Sequence, residues 1–428
     1  MDISPELVTE VERQVLAARA AARTLRTTTG EKRAAALDAI AKAILAAKDE
    51  ILAANEADLA AAKQRGTRGA LLDRLLLDEA RLKAIADGVW EVAGLPDPLG
   101  RFEEETERPN GLRVARMRIP LGVIAMIYEA RPNVTVDAAA LCIRSGNAVV
   151  LRGGSEAIES NRALAKAIGA GLYQVGLPRS AVTLLAETDR DAILALLRLT
   201  GLVDLAIPRG GEGLIRFVVE NARVPVIQHF KGVCHVYVDA AADLEKARAI
   251  VLNSKTQRPG VCNAAETLLV HEEIAEAFLP GMADALMEAG VELRCDDRAL
   301  EILGGPDSPD KVTVAEKEDW DAEFLDLVLA VRVVPDLDTA LDHIDAHGSF
   351  HTEAIVTEDE EAQGRWLSEV DASCVIVNAS TRFNDGGELG LGVEMGISTT
   401  KMHAYGPMGL QELTARKFVV LGEGQIRG

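Results

Sequence analysis

Residues 253–271 read NSKTQRPGVCNAAETLLVH. Helix-compatible residues run to Gln257, Pro259-Gly260 breaks them, and Glu266 to His271 forms a short apolar run of strand character. A helix, a break and a strand in that succession are one step of an α/β chain, and Cys262 sits on the turn between them. Its neighbours Gly260, Val261, Asn263, Ala264 and Ala265 are small, which leaves a substrate room to approach the sulfur. Lys255 and Arg258 stand close in sequence, and nearby cations favour the thiolate, the nucleophilic form of a thiol whose free pKa is about 8.5. A free cysteine is more often a buried, inert small hydrophobe. Cys142, Cys234 and Cys374 lie among apolar residues and Cys295 has only acidic company, so these four read as core. Cys262 is the candidate nucleophile.

The 428 residues are enough for about two or three domains with a sizeable core. With 48% hydrophobic and 26% charged residues the chain is globular and not disordered. Five scattered cysteines, with no CxxC pair and no Cys/His cluster in sequence, argue against a disulfide framework or a structural zinc site, and no metal is expected. The opening MDISPELVTEVERQ is polar and acidic, unlike a signal peptide, and no apolar run approaches membrane-spanning length. The expectation is a soluble protein of a reducing cytoplasm. A formal net charge of -21 disfavours nucleic acid and anionic membrane as partners. It also means that an anionic substrate needs a local basic island.

Going outward from the cysteine stretch, residues 1 to about 95 read as successive helices, since alanine and leucine dominate and apolar positions recur at three and four. Pro96-Asp97-Pro98-Leu99-Gly100 ends that block. Asn110 to Met117 alternates apolar and charged residues next to an Asn-Gly turn, the pattern of a two-faced ribbon or edge strand. From Ile119 short apolar runs (Val123-Ile127, Ala148-Leu151, Val182-Leu185, Leu202-Ile207) alternate with helical segments, which predicts a parallel sheet covered on both faces. Such sheets bind ligands beyond the carboxyl ends of their strands. Two of those ends, Leu151-Arg-Gly-Gly-Ser155 and Ile207-Pro-Arg-Gly-Gly211, place an arginine and a glycine pair between strand and helix. Glycine admits close backbone approach, a helix N-terminus favours phosphate, and arginine adds a planar donor fork. A strand-helix turn also uses glycine for geometry alone, and neither stretch is a GxGxxG. Their repetition is what favours a dinucleotide or phosphate site.

A second alternating unit begins near Val236, with strands at Thr267-Val270, Val291-Arg294, Leu327-Val334 and Ala354-Val356. Beyond Val375-Asn378 the stretch from Gly386 to Gly396 is glycine-rich and suits a loop over a site, and Phe418-Leu421 is a last strand. The expected organisation is 1–235 for the N-terminal helices and a dinucleotide-binding domain, with a ribbon at 109–120. Residues 236–405 follow as a cysteine domain, and 406–428 as a C-terminal return.

These parts, in this order along nearly the whole chain, resemble the aldehyde dehydrogenase superfamily. The matching parts are an Asn-bearing loop (Ala130-Arg-Pro-Asn133), a basic strand end (Arg152), a Gly-rich turn (Arg209-Gly-Gly211), the cysteine loop (Gly260-Val-Cys262) and a Glu-Phe pair (Glu323-Phe324). Within the superfamily, Ser254-Lys-Thr-Gln-Arg-Pro-Gly-Val-Cys-Asn263 and the fixed positions from Val334 to Ile355, including His347-Gly-Ser-Phe-His-Thr-Glu353, are similar to the gamma-glutamyl phosphate reductase family.

The resemblance implies an α/β aldehyde dehydrogenase-like fold: two parallel-sheet domains, a helical N-terminal segment and a small oligomerisation ribbon. It implies NADPH-dependent reduction of L-glutamate 5-phosphate to L-glutamate 5-semialdehyde through a thioester on Cys262. Asn133 and the Cys262 N–H would form the oxyanion hole. Arg152, Ser155, Arg209, Gly210, Gly211 and Glu323 would hold the cofactor. Lys255 and Arg258, with Arg131 or Arg382, would make the basic island, and His351 and Thr352 a polar wall of the substrate pocket, although a histidine after a Gly-Ser-Phe turn also reads as a plain loop residue. Asn110-Met117 and Phe418-Leu421 fall where relatives exchange strands, which implies a homo-oligomer, and the upstream glutamate 5-kinase is a candidate partner. Hydrolytic relatives carry a general-base glutamate where this chain reads Ile227-Gln-His-Phe230. Two rival readings stand beside this one: a cysteine-dependent acyl-CoA reductase, and a catalytically silent nucleotide-binding scaffold on the same fold.

Overall fold

Caps and composition set the first helices. Ser4, Thr29 and Asp78 each accept a backbone N–H at the start of Pro5–Thr27, Gly30–Ala46 and Glu79–Gly94, satisfying donors that a helix N-terminus leaves open. The computed structural model describes residues 3–305 and 309–427. They divide into two compact units: 1–228 with 390–396 and 408–428, and 229–389 with 397–407. The second unit thus begins at His229, ahead of the boundary expected at 235. The glycine-rich stretch is divided between the units, 390–396 falling in the first, and the C-terminal segment from 408 also belongs to the first.

In the first unit a four-stranded parallel sheet runs in the order Val182–Leu184, Ala148–Gly153, Val123–Tyr128, Leu205–Arg209. Its two inner strands are buried throughout, as near-continuous apolar runs require. Helix Gly30–Ala46 crosses Ile158–Gln174 at close range: a Cβ on Gly171 would come within 2.6 Å of the Ile40 Cα, so only glycine fits there. Buried Arg33 ties the helical block down, pairing with Asp97 at 2.6 Å and donating to the Arg144 carbonyl at 3.1 Å. The ribbon is larger than the alternation suggested. Phe102–Glu107, Arg113–Pro120 and Thr414–Leu421 form an antiparallel three-stranded sheet, with Asn110 and Gly111 in the turn. The strand Phe102–Glu107 was invisible in sequence because FEEETE has almost no apolar residue to mark a face.

In the second unit a parallel sheet of seven strands has the order Val312–Val314, Glu292–Cys295, Val328–Val334, Ala265–His271, Cys234–Val238, Thr352–Val356, Cys374–Val377. Alternate residues feed opposite faces. Val236, Val238, Leu268, Val270, Ala354 and Val356 enter one core, with Ala247, Val251 and Phe278 from the helices Leu244–Thr256 and Glu272–Glu288. Tyr237, Leu269 and Ile355 enter the other, with Ala340, Ile344 and Trp366. No helix among the described residues is long and apolar enough to cross a membrane.

Candidate active site

The turn that carries Cys262 is held from three sides within its own unit. Helix Leu244–Thr256 delivers it, with Gln257 as C-cap, and the Ala264 N–H closes it onto the Val261 carbonyl at 3.1 Å. Beneath it passes the backbone of Gly232, where a Cβ would lie 2.0 Å from the Cys262 carbonyl oxygen. The Cys234 thiol donates to that same carbonyl at 3.1 Å. On the third side Asn263 Nδ2 donates to the Asn384 carbonyl at 2.9 Å, and Ser254 Oγ meets Ser380 Oγ at 3.0 Å. Cys262 is half-buried, and its backbone N–H enters no hydrogen bond among the described residues. The other four cysteines differ in kind. Burial pushes the thiols of Cys142, Cys234 and Cys374 up, and that of Cys295 up to about 12.

Lys255 does not belong to the surface of this site. Its side chain is wholly buried and its Nζ lies 2.6 Å from Glu266 Oε2, equally buried. Burial pushes the Glu266 carboxyl up to about 7 and the Lys255 ammonium down, and their mutual contact offsets part of each shift. Breaking such a pair from one side costs about 3–5 kcal/mol in general, so its place here is as a support under the turn. The cations that do reach the site are Arg258, exposed, and Arg382, half-buried and held by Gln257 Oε1 at 2.8 Å. Burial pushes the Arg382 guanidinium down, and the charges of Asp385, Arg258 and Cys262 all act on it, so Arg382 lies within electrostatic reach of both Arg258 and the sulfur.

Neither His351 nor Thr352 is exposed. The Thr352 hydroxyl meets His351 Nδ1 at 2.7 Å and accepts from Asn384 Nδ2 at 2.7 Å, so it orients the histidine and does not face a substrate. Glu353 is also buried, bonded to His235 Nδ1 at 2.8 Å and to the His235 N–H at 3.0 Å. Burial pushes its carboxyl up. Glu323, half-buried, accepts the Gly232 N–H at 2.9 Å, which ties it to the backbone segment beneath the cysteine. All these groups gather at the amino ends of the central strands of their sheet, opposite to the carboxyl-end rule that the first sheet follows.

In the first unit Asn133 lies in the first turn of helix Pro132–Arg144, and its Nδ2 donates to Asp137 at 2.9 Å. Burial pushes the Asp137 carboxyl up to about 6, against the opposing pull of Asn133. Asp137 was missed in sequence, although four residues on from Asn133 is one helical turn and could have marked it. The glycine turn Arg209-Gly-Gly211 is already filled from within. Gly211 N–H donates to Glu129 Oε2 at 2.9 Å, and a Cβ on Gly210 would meet that oxygen at 2.5 Å. The start of helix Glu212–Asn221 therefore holds a resident carboxylate where a phosphate was expected, and Arg209 faces Glu394 at 3.6 Å. At the other strand end Ser155 is exposed, and Arg152 is buried, donating through Nη2 to the Thr188 and Asp189 carbonyls. Arg152 Nε is buried without a hydrogen-bond partner among the described residues. A spare donor of this kind beside an exposed hydroxyl fits a nucleotide. Glu156, next to Ser155 in the chain, accepts the Ala130 N–H at 2.8 Å.

Residues 3–299 match the model of the aldehyde dehydrogenase family. A gamma-glutamyl phosphate reductase of Xanthomonas axonopodis pv. citri is 55% identical over 96% of this chain and 98% of its own length. One of Geobacter metallireducens is 55% identical over 91% of this chain and 92% of its own. The crystal structure of gamma-glutamyl phosphate reductase from Thermotoga maritima superposes with a TM-score of 0.95 at 45% identity, covering 98% of this chain and all of that one. The chain belongs to the aldehyde dehydrogenase family and, within it, to the gamma-glutamyl phosphate reductases.

Proposed function

We infer that this chain reduces gamma-glutamyl phosphate to glutamate 5-semialdehyde and phosphate, a step of proline biosynthesis, with Cys262 as the nucleophile. The half-buried Cys262 thiol on its braced turn carries this reading, in a chain 55% identical over almost its whole length to reductases named for that substrate. The Cys262 thiolate attacks the acyl carbon, the C–O bond to phosphate breaks with its electron pair going to phosphate, and an acyl thioester is left on the enzyme. The unengaged Cys262 N–H is a donor for the oxyanion formed on the way, and the family resemblance makes the Asn133 amide the second candidate. Arg258 and Arg382 make the basic island for the departing phosphate. Members of the aldehyde dehydrogenase family use a nicotinamide cofactor, which supplies a hydride when bound. Arg152 and Ser155 would hold its ribose end, with Arg209 and Glu323 as further candidates.

The finer reading is a preference for NADPH. NAD-preferring relatives tend to place a glutamate at the position of Ser155, whereas an exposed serine beside Arg152 repels no 2′-phosphate. The test is semialdehyde oxidation in the presence of phosphate, comparing kcat/KM for NADP and NAD. NADP should be preferred about 10-fold or more, and Ser155→Glu should remove that preference through a charge repulsion of about 1–3 kcal/mol. A wild type indifferent to the two cofactors contradicts it.

The ribbon supports a homo-oligomer. Thr414–Leu421 is an edge strand with Phe418 65% and Val420 56% exposed, an uncovered apolar edge of the kind that pairs with another chain. Sedimentation velocity should find no stable monomer at micromolar concentration; a monomer removes this part of the reading.

A further inference from the structure

Three side chains that lead into three neighbouring strands converge on one point. His229 precedes Cys234–Val238, Cys262 precedes Ala265–His271, and His351 precedes Thr352–Val356, and the first of these strands lies between the other two. The Cys262 sulfur and one ring nitrogen from each histidine all lie within 4.8 Å of one another. The two imidazole rings stand 5.8 Å apart, tilted by 59°. The reaction inferred above uses the sulfur and assigns no step to either imidazole.

We propose that Cys262, His229 and His351 form a binding site for a divalent transition-metal ion of the zinc type, and that the ion switches the enzyme off by taking the nucleophile. One thiolate and two imidazoles suit Zn²⁺ and its neighbours, whereas Mg²⁺ and Ca²⁺ require oxygen ligands. A tetrahedral ion with Zn–S near 2.3 Å and Zn–N near 2.0 Å places its ligand atoms about 3.5 Å apart, so the trio has at most about 1 Å to close. Cys262 and His229, both half-buried, have the freedom to do so. His351 is preset. Thr352 Oγ1 holds its Nδ1, Asn384 holds Thr352, and an outer partner of this kind fixes the ring and assigns the metal to Nε2. Three protein ligands leave the fourth position to water. Arg382, within electrostatic reach of the sulfur, opposes a dication, so the site binds more weakly than a closed structural one.

Binding balances simply. The Cys262 S–H bond breaks, its proton goes to solvent, a sulfur–metal bond forms and nothing is oxidised. The sulfur lone pair that would attack an acyl carbon is then held by the ion. Only this inhibition rests on Cys262 being the nucleophile; the binding does not.

The test uses the full-length enzyme, freed of metal by chelation and desalting, titrated with Co²⁺. A thiolate-to-cobalt charge-transfer band should grow to one equivalent and disappear on adding Zn²⁺. Cys262→Ser should abolish it, and His229→Ala and His351→Ala should each weaken binding at least about 10-fold. Because His351 is buried, its replacement can disturb the fold. His229→Ala, checked by circular dichroism, therefore carries the decision. Zn²⁺ should also protect Cys262 from iodoacetamide and inhibit turnover until EDTA is added. Absence of the band, or a band of unchanged affinity in His229→Ala, overturns the site, the latter meaning a lone thiol collecting metal. Full activity in zinc-saturated enzyme whose Cys262 is protected leaves the site standing and overturns both the inhibition and the assignment of Cys262 as nucleophile.

Discussion

Cys262→Ser is expected to keep its fold and lose its activity, with kcat/KM lower by about 10⁴-fold or more. The substitution changes one atom on a half-buried turn whose supports are elsewhere: the Cys234 thiol on the Cys262 carbonyl, the bare Gly232 backbone beneath, and Asn263 on Asn384. None of these uses the Cys262 sulfur, so circular dichroism and the melting temperature should hold. The chemistry does use it. A serine hydroxyl ionises far above neutral pH and is a poor nucleophile without a hydrogen-bonded base, whereas thiols as a class ionise far more readily, with a free pKa of about 8.5. Iodoacetamide gives the matching chemical test on the wild type. It should label Cys262 first, because burial raises the other four thiols and keeps them protonated. Serine-variant activity within about 10-fold of wild type would remove Cys262 from the mechanism.

Local chemistry was legible in the sequence; what depends on strand order was not. Pro259-Gly260 had to break a helix, and the run after it had to be a strand, so the turn at Cys262 could be read directly. The alternation of apolar runs and helices likewise had to give parallel sheets. Lys255 shows the limit. Facing outward from the last turn of its helix it would serve a substrate, but its side chain turns inward onto Glu266, eleven residues on and across the break. No periodicity in a segment that short separates those faces. The same holds for Gly210 and Gly211, where arginine and glycine at a strand end suit either a phosphate or a neighbour's carboxylate, and Glu129 from the adjacent strand end takes the place. The convergence of His229, Cys262 and His351 arises because Cys234–Val238 lies between Ala265–His271 and Thr352–Val356. Pairing between segments so far apart in the chain leaves no mark in any one of them, and a count of cysteine and histidine spacings correctly found no cluster in sequence while three-dimensional proximity made one.

Oxidation of glutamate 5-semialdehyde is expected to need phosphate, with the acyl group otherwise trapped on Cys262. In that direction an acyl thioester must be removed, and water is a poor nucleophile near neutral pH unless a positioned base takes its proton, a gain of about 10²- to 10⁴-fold. The segment Ile227-Gln-His-Phe230 has no carboxylate where hydrolytic relatives keep one. The carboxylates around the cysteine are committed elsewhere: Glu266 is buried on Lys255, Glu353 is buried on His235, and Glu323 accepts the Gly232 N–H. Phosphate brings its own charge and needs only cations, for which Arg382, within electrostatic reach of the sulfur, and its neighbour Arg258 are the candidates. Two imidazoles compete with this account, since a ring nitrogen of His229 and one of His351 lie within 4.8 Å of the Cys262 sulfur and an imidazole can activate water; His229 is the less buried of the two. Steady-state reduction of NADP in a phosphate-free buffer separates the cases. Turnover should fall about 10²-fold or more without phosphate and return with arsenate, whose acyl ester breaks down in water. Any slow residual rate that disappears in His229→Ala would be assigned to that imidazole. If turnover continues undiminished without phosphate or arsenate, the enzyme hydrolyses its thioester and the acyl-phosphate chemistry inferred for Cys262 is wrong.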